Sequence, residues 1–238
     1  MKYLTNKKCI ASMICFFCVG LIWLVGYKCY QTTPQKIFHN TINSIVEVKA
    51  TEGKQSSFGT AVFIGEKKYL VTNAHVVVHK IQNKKRPYKT IQIRFADESE
   101  YREVHIKSFN EDKDIALLEA TNISDRFVQG LRIADSKKID FGNKVYAIGN
   151  AMNYGISISQ GIVSMPKVII DYNEKDKEMI QADINISEGN SGGALLNQNG
   201  KLIGITTFRT KDQNGNIIYG NAFAIPINDV VLYIKKQS

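Results

Sequence analysis

From residue 44 to residue 226 the chain is a succession of short segments rich in Val, Ile, Thr, Phe and Tyr, separated by turn residues. The Asn-Gly pairs at 199–200 and 214–215 are typical of tight hairpin turns. Since almost no helical periodicity interrupts these segments, their apolar faces can be buried only in a β-sandwich or a β-barrel. The pattern therefore predicts an all-β fold, with a single helix over residues 228–236.

The predicted strands fall into two sets of six, before and after an irregular stretch at 121–142. This count predicts two antiparallel six-stranded β-barrels, at about 37–128 and 129–238, within one domain, 37–238. The predicted strands are 44–50, 58–65, 68–73, 90–96, 101–109, 114–120, 144–149, 157–165, 178–184, 193–197, 201–207 and 217–226.

An uncharged apolar run of 19 residues, 9–27, precedes this domain. As a helix it would be about 28 Å long, which is enough to cross the hydrocarbon core of a bilayer. Lys2, Lys7 and Lys8 come before it, so the N-terminus is expected in the cytoplasm and the domain across the membrane. A retained signal anchor is favoured over a cleaved signal peptide, because the run is long and no A-x-A pattern follows it. Residues 1–36 are thus predicted to be a cytoplasmic tip, a transmembrane helix and a linker.

The composition argues against several other classes of protein. The chain carries 31 Lys and Arg against 22 Asp and Glu, a net charge of +9, but the excess is scattered rather than arranged in a stripe. This distribution gives little reason to expect a nucleic-acid partner. All four cysteines lie within the first 29 residues. The rest of the chain therefore has neither a disulfide framework nor a zinc ribbon.

The segment Glu-Gly-Asn-Ser-Gly-Gly at 188–193 has the composition of a tight turn that exposes a nucleophilic hydroxyl. A serine nucleophile needs such a turn, together with backbone N–H groups aimed at the developing oxyanion. In that arrangement Ser191 attacks, and the N–H groups of Gly189 and Ser191 form the oxyanion hole. A glycine-rich hairpin with no catalytic role is the alternative for this motif taken alone.

A histidine and an aspartate are candidates for the two groups that act together with a serine nucleophile. His75 follows the apolar segment Tyr-Leu-Val-Thr-Asn-Ala, and Asp114 opens the segment Asp-Ile-Ala-Leu-Leu-Glu. Taken singly, such a histidine is usually structural and such an aspartate is usually solvated. The order His, Asp, Ser on an all-β background indicates that the three act together.

The blocks 71–77, 114–118 and 189–195 resemble the three catalytic blocks of chymotrypsin-fold serine proteases. The similarity is greatest to the HtrA/Deg branch of bacterial envelope proteases, and it extends in order over about residues 40–232. Five further segments contribute to it: 147–150, 161–164, 180–183, 202–205 and 222–226. Because the chain ends at Ser238, we expect no PDZ domain of the kind that typically follows in this family.

The resemblance implies a mechanism for these residues. Ser191 attacks a peptide carbonyl, His75 takes its proton and returns it to the leaving amine, and Asp114 orients the imidazole. This chemistry needs no metal and no organic cofactor. Asp97 and Asp112 are rival orienting acids, but Asp114 alone directly precedes Ile-Ala-Leu.

The resemblance also implies a substrate pocket. Asn185 stands six residues before the nucleophile, where trypsin-like enzymes that cleave after Lys or Arg carry an acid. Ile186 matches the apolar pocket residue of the HtrA branch, and Glu188 is expected at the rim. Cleavage is therefore predicted after small or apolar residues. The usual Asn-Pro of the family is replaced by Ser187 and Glu188, which leaves the detailed shape of the pocket open.

Together these features predict a serine endopeptidase that acts on protein or unfolded polypeptide substrates, namely envelope or secreted proteins. The expected location is the bacterial inner membrane, with the protease domain periplasmic or extracytoplasmic. A non-catalytic peptide-binding protein on the same fold is the alternative. The family resemblance further implies a homotrimer formed near the N-terminus of the domain, where Ile37 and Phe38 are candidates for apolar contacts.

Overall fold

The computed structural model describes residues 16–20, 33–65, 69–81, 84–120, 123, 128–171, 175–211 and 217–237. The chain divides into two compact units, Met1–Thr33 and Pro34–Ser238. In the first unit residues 16–20 are helical, and the remainder of the predicted anchor, 9–27, lies outside the described residues. Within the described ranges, no helix combines the length and the apolar character that crossing a bilayer requires.

In the second unit the described residues form fourteen strands and three α-helices. The helices are α1 (Pro34–Thr41), α2 (Ala74–Val77) and α3 (Ile227–Gln237). The strands are β1 (Ile45–Glu52), β2 (Gln55–Ile64), β3 (Tyr69–Thr72), β4 (Val78–Ile81), β5 (Lys84–Pro87), β6 (Thr90–Phe95), β7 (Arg102–Asn110), β8 (Ile115–Glu119), β9 (Lys144–Gly149), β10 (Ser157–Asp171), β11 (Asp176–Asp183), β12 (Ala194–Asn197), β13 (Leu202–Lys211) and β14 (Ile217–Pro226).

Twelve of these strands form two antiparallel sheets. In the first sheet the order is β1-β2-β3-β8-β7-β6, and β6 pairs again with β1, which closes a barrel. In the second sheet the order is β10-β11-β14-β13-β12-β9, and β9 pairs with β10. The predicted mostly-β architecture agrees with this arrangement, since every predicted strand has a counterpart within a few residues at one end or the other.

Four of these elements were not predicted from the sequence: strands β4 and β5 and helices α1 and α2. Strands β4 and β5 form a separate hairpin, and β5 is exposed along its whole length. Its sequence, Lys-Lys-Arg-Pro, has no alternation of apolar residues, because the hairpin is not a wall of either barrel. Helix α1 was also missed, because its eight residues are too few to show a clear helical repeat.

The side chain of Ile37, on α1, is buried in the protein's own core. Only 1% of it is exposed, and it belongs to an apolar cluster that also contains Ile45 of β1 and Ile148 of β9. Burying an isoleucine side chain stabilises a fold by about 1.5–3 kcal/mol. Phe38 packs against the same cluster and is partly buried. The expectation that Ile37 supplies contacts between subunits is therefore wrong, because that side chain is already covered.

Candidate active site

His75 lies on α2, the single turn of helix that follows β3. Ala74, Val76 and Val77 are buried, which fixes this turn against the first barrel. The His75 side chain faces outward, with 42% of its surface exposed. The packing of its neighbours thus places a reactive imidazole at the surface without burying it.

Asp114 holds this imidazole by two contacts. Its Oδ2 lies 2.8 Å from Nδ1 of His75, and its Oδ1 accepts a hydrogen bond of 3.0 Å from the backbone N–H of His75. A carboxylate can only accept, so Nδ1 carries the proton and Nε2 is left as the base. Asp114 is buried, and its backbone has φ +55, a left-handed conformation that aspartate tolerates better than most residues.

Buried Asn73 ties the backbone of Asp114 to the second barrel. Its Nδ2 donates to the carbonyl of Asp114 at 2.9 Å and to Oγ1 of Thr207 at 3.2 Å. Ser191 reaches the same strand, because its Oγ donates to the carbonyl of Thr207 at 2.8 Å. Asn73 and Thr207 thus connect the three predicted catalytic residues across the two barrels.

Ser191 lies in the turn that precedes β12. Its carbonyl accepts from the N–H of Thr60 on β2 at 2.8 Å, and the N–H of Gly192 donates to Thr206 on β13. Both barrels therefore hold the turn. The structure brings His75 and Asp114 into direct contact, but it does not join Ser191 to His75 by a hydrogen bond, because the serine hydroxyl is bound to Thr207.

The peptide between Glu188 and Gly189 has a fixed orientation. The carbonyl of Glu188 accepts from the N–H of Met152 at 2.7 Å, so the N–H of Gly189, on the same planar peptide, points the opposite way. Thr60 supports this turn, since its Oγ1 donates to the carbonyl of Gly189 at 2.7 Å and accepts from the N–H of Asn150 at 2.9 Å.

The two N–H groups predicted to bind an oxyanion have no hydrogen-bond acceptor in the described part of the chain. Among the described residues, neither the N–H of Gly189 nor that of Ser191 donates a hydrogen bond. Unpaired donors fixed beside a nucleophile are what stabilisation of a tetrahedral oxyanion requires. Their role as an oxyanion hole stays a prediction.

The sequence signature described as a trypsin-like peptidase domain matches residues 59–205. The chain belongs to the trypsin-like peptidase family. This match spans His75, Asp114 and Ser191, the residues whose geometry is given above.

Two sequence relatives of this trypsin-like peptidase chain share a name, serine protease HtrA-like, and come from Staphylococcus aureus strains bovine RF122 / ET3-1 and USA300. Each is 32% identical over 228 residues, which cover 86% of this chain and 28% of the relative. The chain thus spans a little over a quarter of the length of these relatives.

Among solved structures, a variant of the HtrA-type protease AlgW with a tripeptide has a TM-score of 0.71 and 25% identity. The match covers 86% of this chain and 63% of that one. The serine endoprotease from Yersinia pestis has a TM-score of 0.68 and 26% identity, with 87% and 66% covered. The resemblance to HtrA/Deg-like serine proteases is confirmed by these relatives and structures.

The residues predicted to form the substrate pocket of this trypsin-like peptidase lie in the segment that leads to Ser191. Ile186 is buried, and its carbonyl accepts from Nη1 of Arg209 at 3.0 Å. Asn185 and Glu188 are both exposed. The exposure of Glu188 agrees with a position at a rim, whereas exposed Asn185 does not resemble the buried base of a closed pocket. The role of all three in substrate binding stays a prediction.

A cavity of about 190 Å³ lies next to His75. Its lining combines apolar and charged side chains: Ala74, His75, Val78, His79, Lys80, Lys85, Glu111 and Asp114. Among the described residues, no group of three or more His, Cys, Asp or Glu side chains could hold a metal ion.

The turn that carries Asp114 is tethered to the start of β11 by an exposed ion pair. Lys175 Nζ lies 2.7 Å from Oδ2 of Asp112, and this hydrogen bond lowers the pKa of the Asp112 carboxyl. Burial lowers the pKa of Lys177 on β11, while the charges of Asp114 and Asp112 oppose that effect. Exposed pairs contribute little to stability, so the tether orients this turn only weakly.

The sequence did not reveal the supporting residues Asn73, Thr60, Thr207 and Arg209. Asn73 lies within the block 71–77, and a buried amide at the end of an apolar strand indicates a structural hydrogen bond. The partners of Thr60, Thr207 and Arg209 are distant in sequence, and no local pattern identifies them.

Replacing Gly189 by alanine is expected to lower kcat/KM by about 10²–10³-fold, the cost of losing one oxyanion donor. At φ +91 a Cβ on residue 189 would lie 2.1 Å from the carbonyl oxygen of Asn150, so the peptide must move. Gly53→Ala is the control, because Gly53 also has a positive φ but nothing lies within 4 Å of its Cβ position. Equal activity of the two variants, measured by peptide hydrolysis, would contradict the assignment.

Proposed function

We propose that this chain is a serine endopeptidase that hydrolyses polypeptides through Ser191, His75 and Asp114. The observation that carries the proposal is the two-point contact of Asp114 with His75, close to a serine turn in which the N–H groups of Gly189 and Ser191 bind no acceptor among the described residues. Membership of the trypsin-like peptidase family and the HtrA-like relatives support it.

The proposed reaction begins when Ser191 Oγ releases the carbonyl of Thr207 and donates its proton to Nε2 of His75. The serine oxygen then attacks the substrate carbonyl, whose oxygen receives the N–H groups of Gly189 and Ser191. His75 returns the proton to the leaving amine as the peptide C–N bond breaks and an acyl-enzyme remains. Water, deprotonated by the same imidazole, hydrolyses the ester and regenerates the serine.

A non-catalytic peptide-binding protein is the second candidate. It is favoured by one observation, the hydrogen bond of Ser191 Oγ to Thr207 rather than to His75. A serine-reactive fluorophosphonate probe distinguishes the two, because it labels only an activated serine. We expect labelling at Ser191 in the full chain and none in Ser191→Ala. Absence of labelling in the unmodified chain would favour the binding protein.

We expect cleavage after small or apolar residues, because the predicted pocket offers buried Ile186 and no buried acid. A substrate Lys or Arg in that pocket would lose water without gaining a buried partner. A peptide library digested by the full chain, with Ser191→Ala as the control, tests this specificity. Cleavage chiefly after Lys or Arg would contradict the pocket assignment.

We propose a bacterial inner-membrane location, with residues 1–36 as a retained anchor and the protease domain periplasmic or extracytoplasmic. The basis is the uncharged run 9–27 behind Lys2, Lys7 and Lys8. The full-length protein is expected to stay in the membrane fraction after a carbonate wash and to keep its first residues in mass spectrometry. A mature protein that begins after residue 26 and washes off the membrane would show the proposal to be wrong.

Envelope or secreted polypeptides are the substrates that this location makes available. A homotrimer also stays a prediction. Because Ile37 is buried in the core of its own chain, contacts between subunits must use other residues.

A further inference from the structure

The guanidinium of Arg209 spans the two segments that flank Ser191. Arg209 belongs to β13, two residues after Thr207, whose carbonyl holds the Ser191 hydroxyl. Its Nη1 donates to the carbonyl of Ile186, at 3.0 Å, in the segment that leads to the oxyanion turn. This side chain therefore joins β13 to the segment that carries the predicted pocket residues.

The positive charge of Arg209 is not balanced within the described part of the chain. Three other arginines pair with carboxylates: Arg86 with Glu52, Arg94 with Glu47 and Arg102 with Glu98. Arg209 instead contacts a backbone carbonyl and is half-buried. A guanidinium has five N–H donors, and only one of them donates to an acceptor among the described residues. The remaining donors and the charge are available to a bound molecule.

A substrate can lie along the strand that carries Arg209. Strand β12 begins at Ala194, which pairs with Ile205 of β13. Strand β13 continues beyond this pair, so its residues 207–209 extend past the end of β12. An extended peptide whose scissile bond lies at Ser191 would follow this edge. With about 3.3 Å per residue, the residues just before that bond would face Thr207 to Arg209.

We propose that Arg209 selects substrates that carry an acidic side chain at the second or third residue before the scissile bond. This inference rests on the proposed function. A carboxylate can take two parallel hydrogen bonds from the free side of the guanidinium, whereas the isosteric amide gains no charge interaction. A basic side chain at the same position is repelled. This selectivity is additional to the preference for a small or apolar residue directly before the cut, because it depends on Arg209 rather than on Ile186.

The test compares peptides that have a small or apolar residue directly before the cleaved bond and differ only by Glu or Gln at the second or third position before it. The full chain in detergent is expected to cleave the best Glu peptide with a kcat/KM about tenfold above its Gln partner, which is the size of one charge-assisted hydrogen bond. This ratio is expected to fall as NaCl is raised, because the pair is only half-buried.

Arg209→Gln is expected to bring the Glu/Gln ratio to about one, and this ratio is compared within the variant, whatever its overall rate of hydrolysis. Arg209→Lys is expected to keep part of the ratio, since it keeps the charge without the planar pair of donors. Arg132→Gln is the matched control, because Arg132 is exposed and its carbonyl binds Leu202, at the far end of β13. That variant should keep the ratio of the unmodified chain.

The outcomes separate this inference from the proposed function. Hydrolysis of all the peptides with equal rates for Glu and Gln overturns the inference and leaves the serine endopeptidase intact. A Glu preference that survives in Arg209→Gln also overturns it, because another group must then provide the charge. Failure to cleave any peptide, together with failure of fluorophosphonate labelling, overturns both.

Discussion

Alanine at Ser191 or at His75 is expected to lower kcat/KM by about 10⁴–10⁶-fold. Ser191→Ala removes the attacking oxygen, and His75→Ala removes the base that accepts its proton. Because the two residues perform one step together, the double variant is expected to be little slower than either single variant. Losses that multiply would show that the two residues act independently.

The controls for these variants are residues of the same type outside the site. Ser56→Ala changes an exposed serine at the start of β2, and His105→Ala changes an exposed histidine on β7. Both are expected to keep activity within about twofold, since surface substitutions rarely affect stability by more than about 0.5 kcal/mol. Hydrolysis near the unmodified rate by Ser191→Ala would remove that serine from the mechanism.

The two-barrel fold was predictable because each barrel strand carries its own local signal. In β6, for example, buried Ile91, Ile93 and Phe95 alternate with less buried residues, as a strand with one face on a core requires. The hairpin β4–β5 lacks that alternation and was missed. Helix α1 was missed as well, although the burial of Ile37 shows that tertiary packing stabilises it.

The local contexts of the proposed catalytic residues were recognisable in the sequence, but the contacts that hold Ser191 and the segment before it were not. Ser191, His75 and Asp114 each stand in a recognisable local context. The contact of Ser191 with Thr207 and the contact of Arg209 with Ile186 depend on how β13 lies against the serine turn. These are long-range features of the second barrel, and composition or spacing does not encode them.

Replacing Asp114 by asparagine is expected to lower kcat/KM by about 10⁴-fold. The carboxylate accepts from two donors of His75, the backbone N–H at 3.0 Å and Nδ1 at 2.8 Å. An amide has one acceptor and one donor end, so it cannot satisfy both. If its oxygen faces the backbone N–H, its NH₂ forces Nδ1 to accept, and the proton moves to Nε2, where the base is needed. If the amide is reversed, its NH₂ group faces the backbone N–H of His75, and neither donor has an acceptor.

Asp112→Asn is the matched control, since Asp112 is two residues away and was a rival for the orienting role. Its carboxylate is 63% exposed and pairs with Lys175 rather than with His75. Loss of an exposed pair costs about 1 kcal/mol at most, so kcat/KM is expected to change by less than about fivefold. Hydrolysis rates, with thermal unfolding to show that both variants are folded, give the comparison. If Asp112→Asn is slower than Asp114→Asn, the ion pair of Asp112 with Lys175 positions the imidazole. The two-point contact of Asp114 with His75 then has only a structural role.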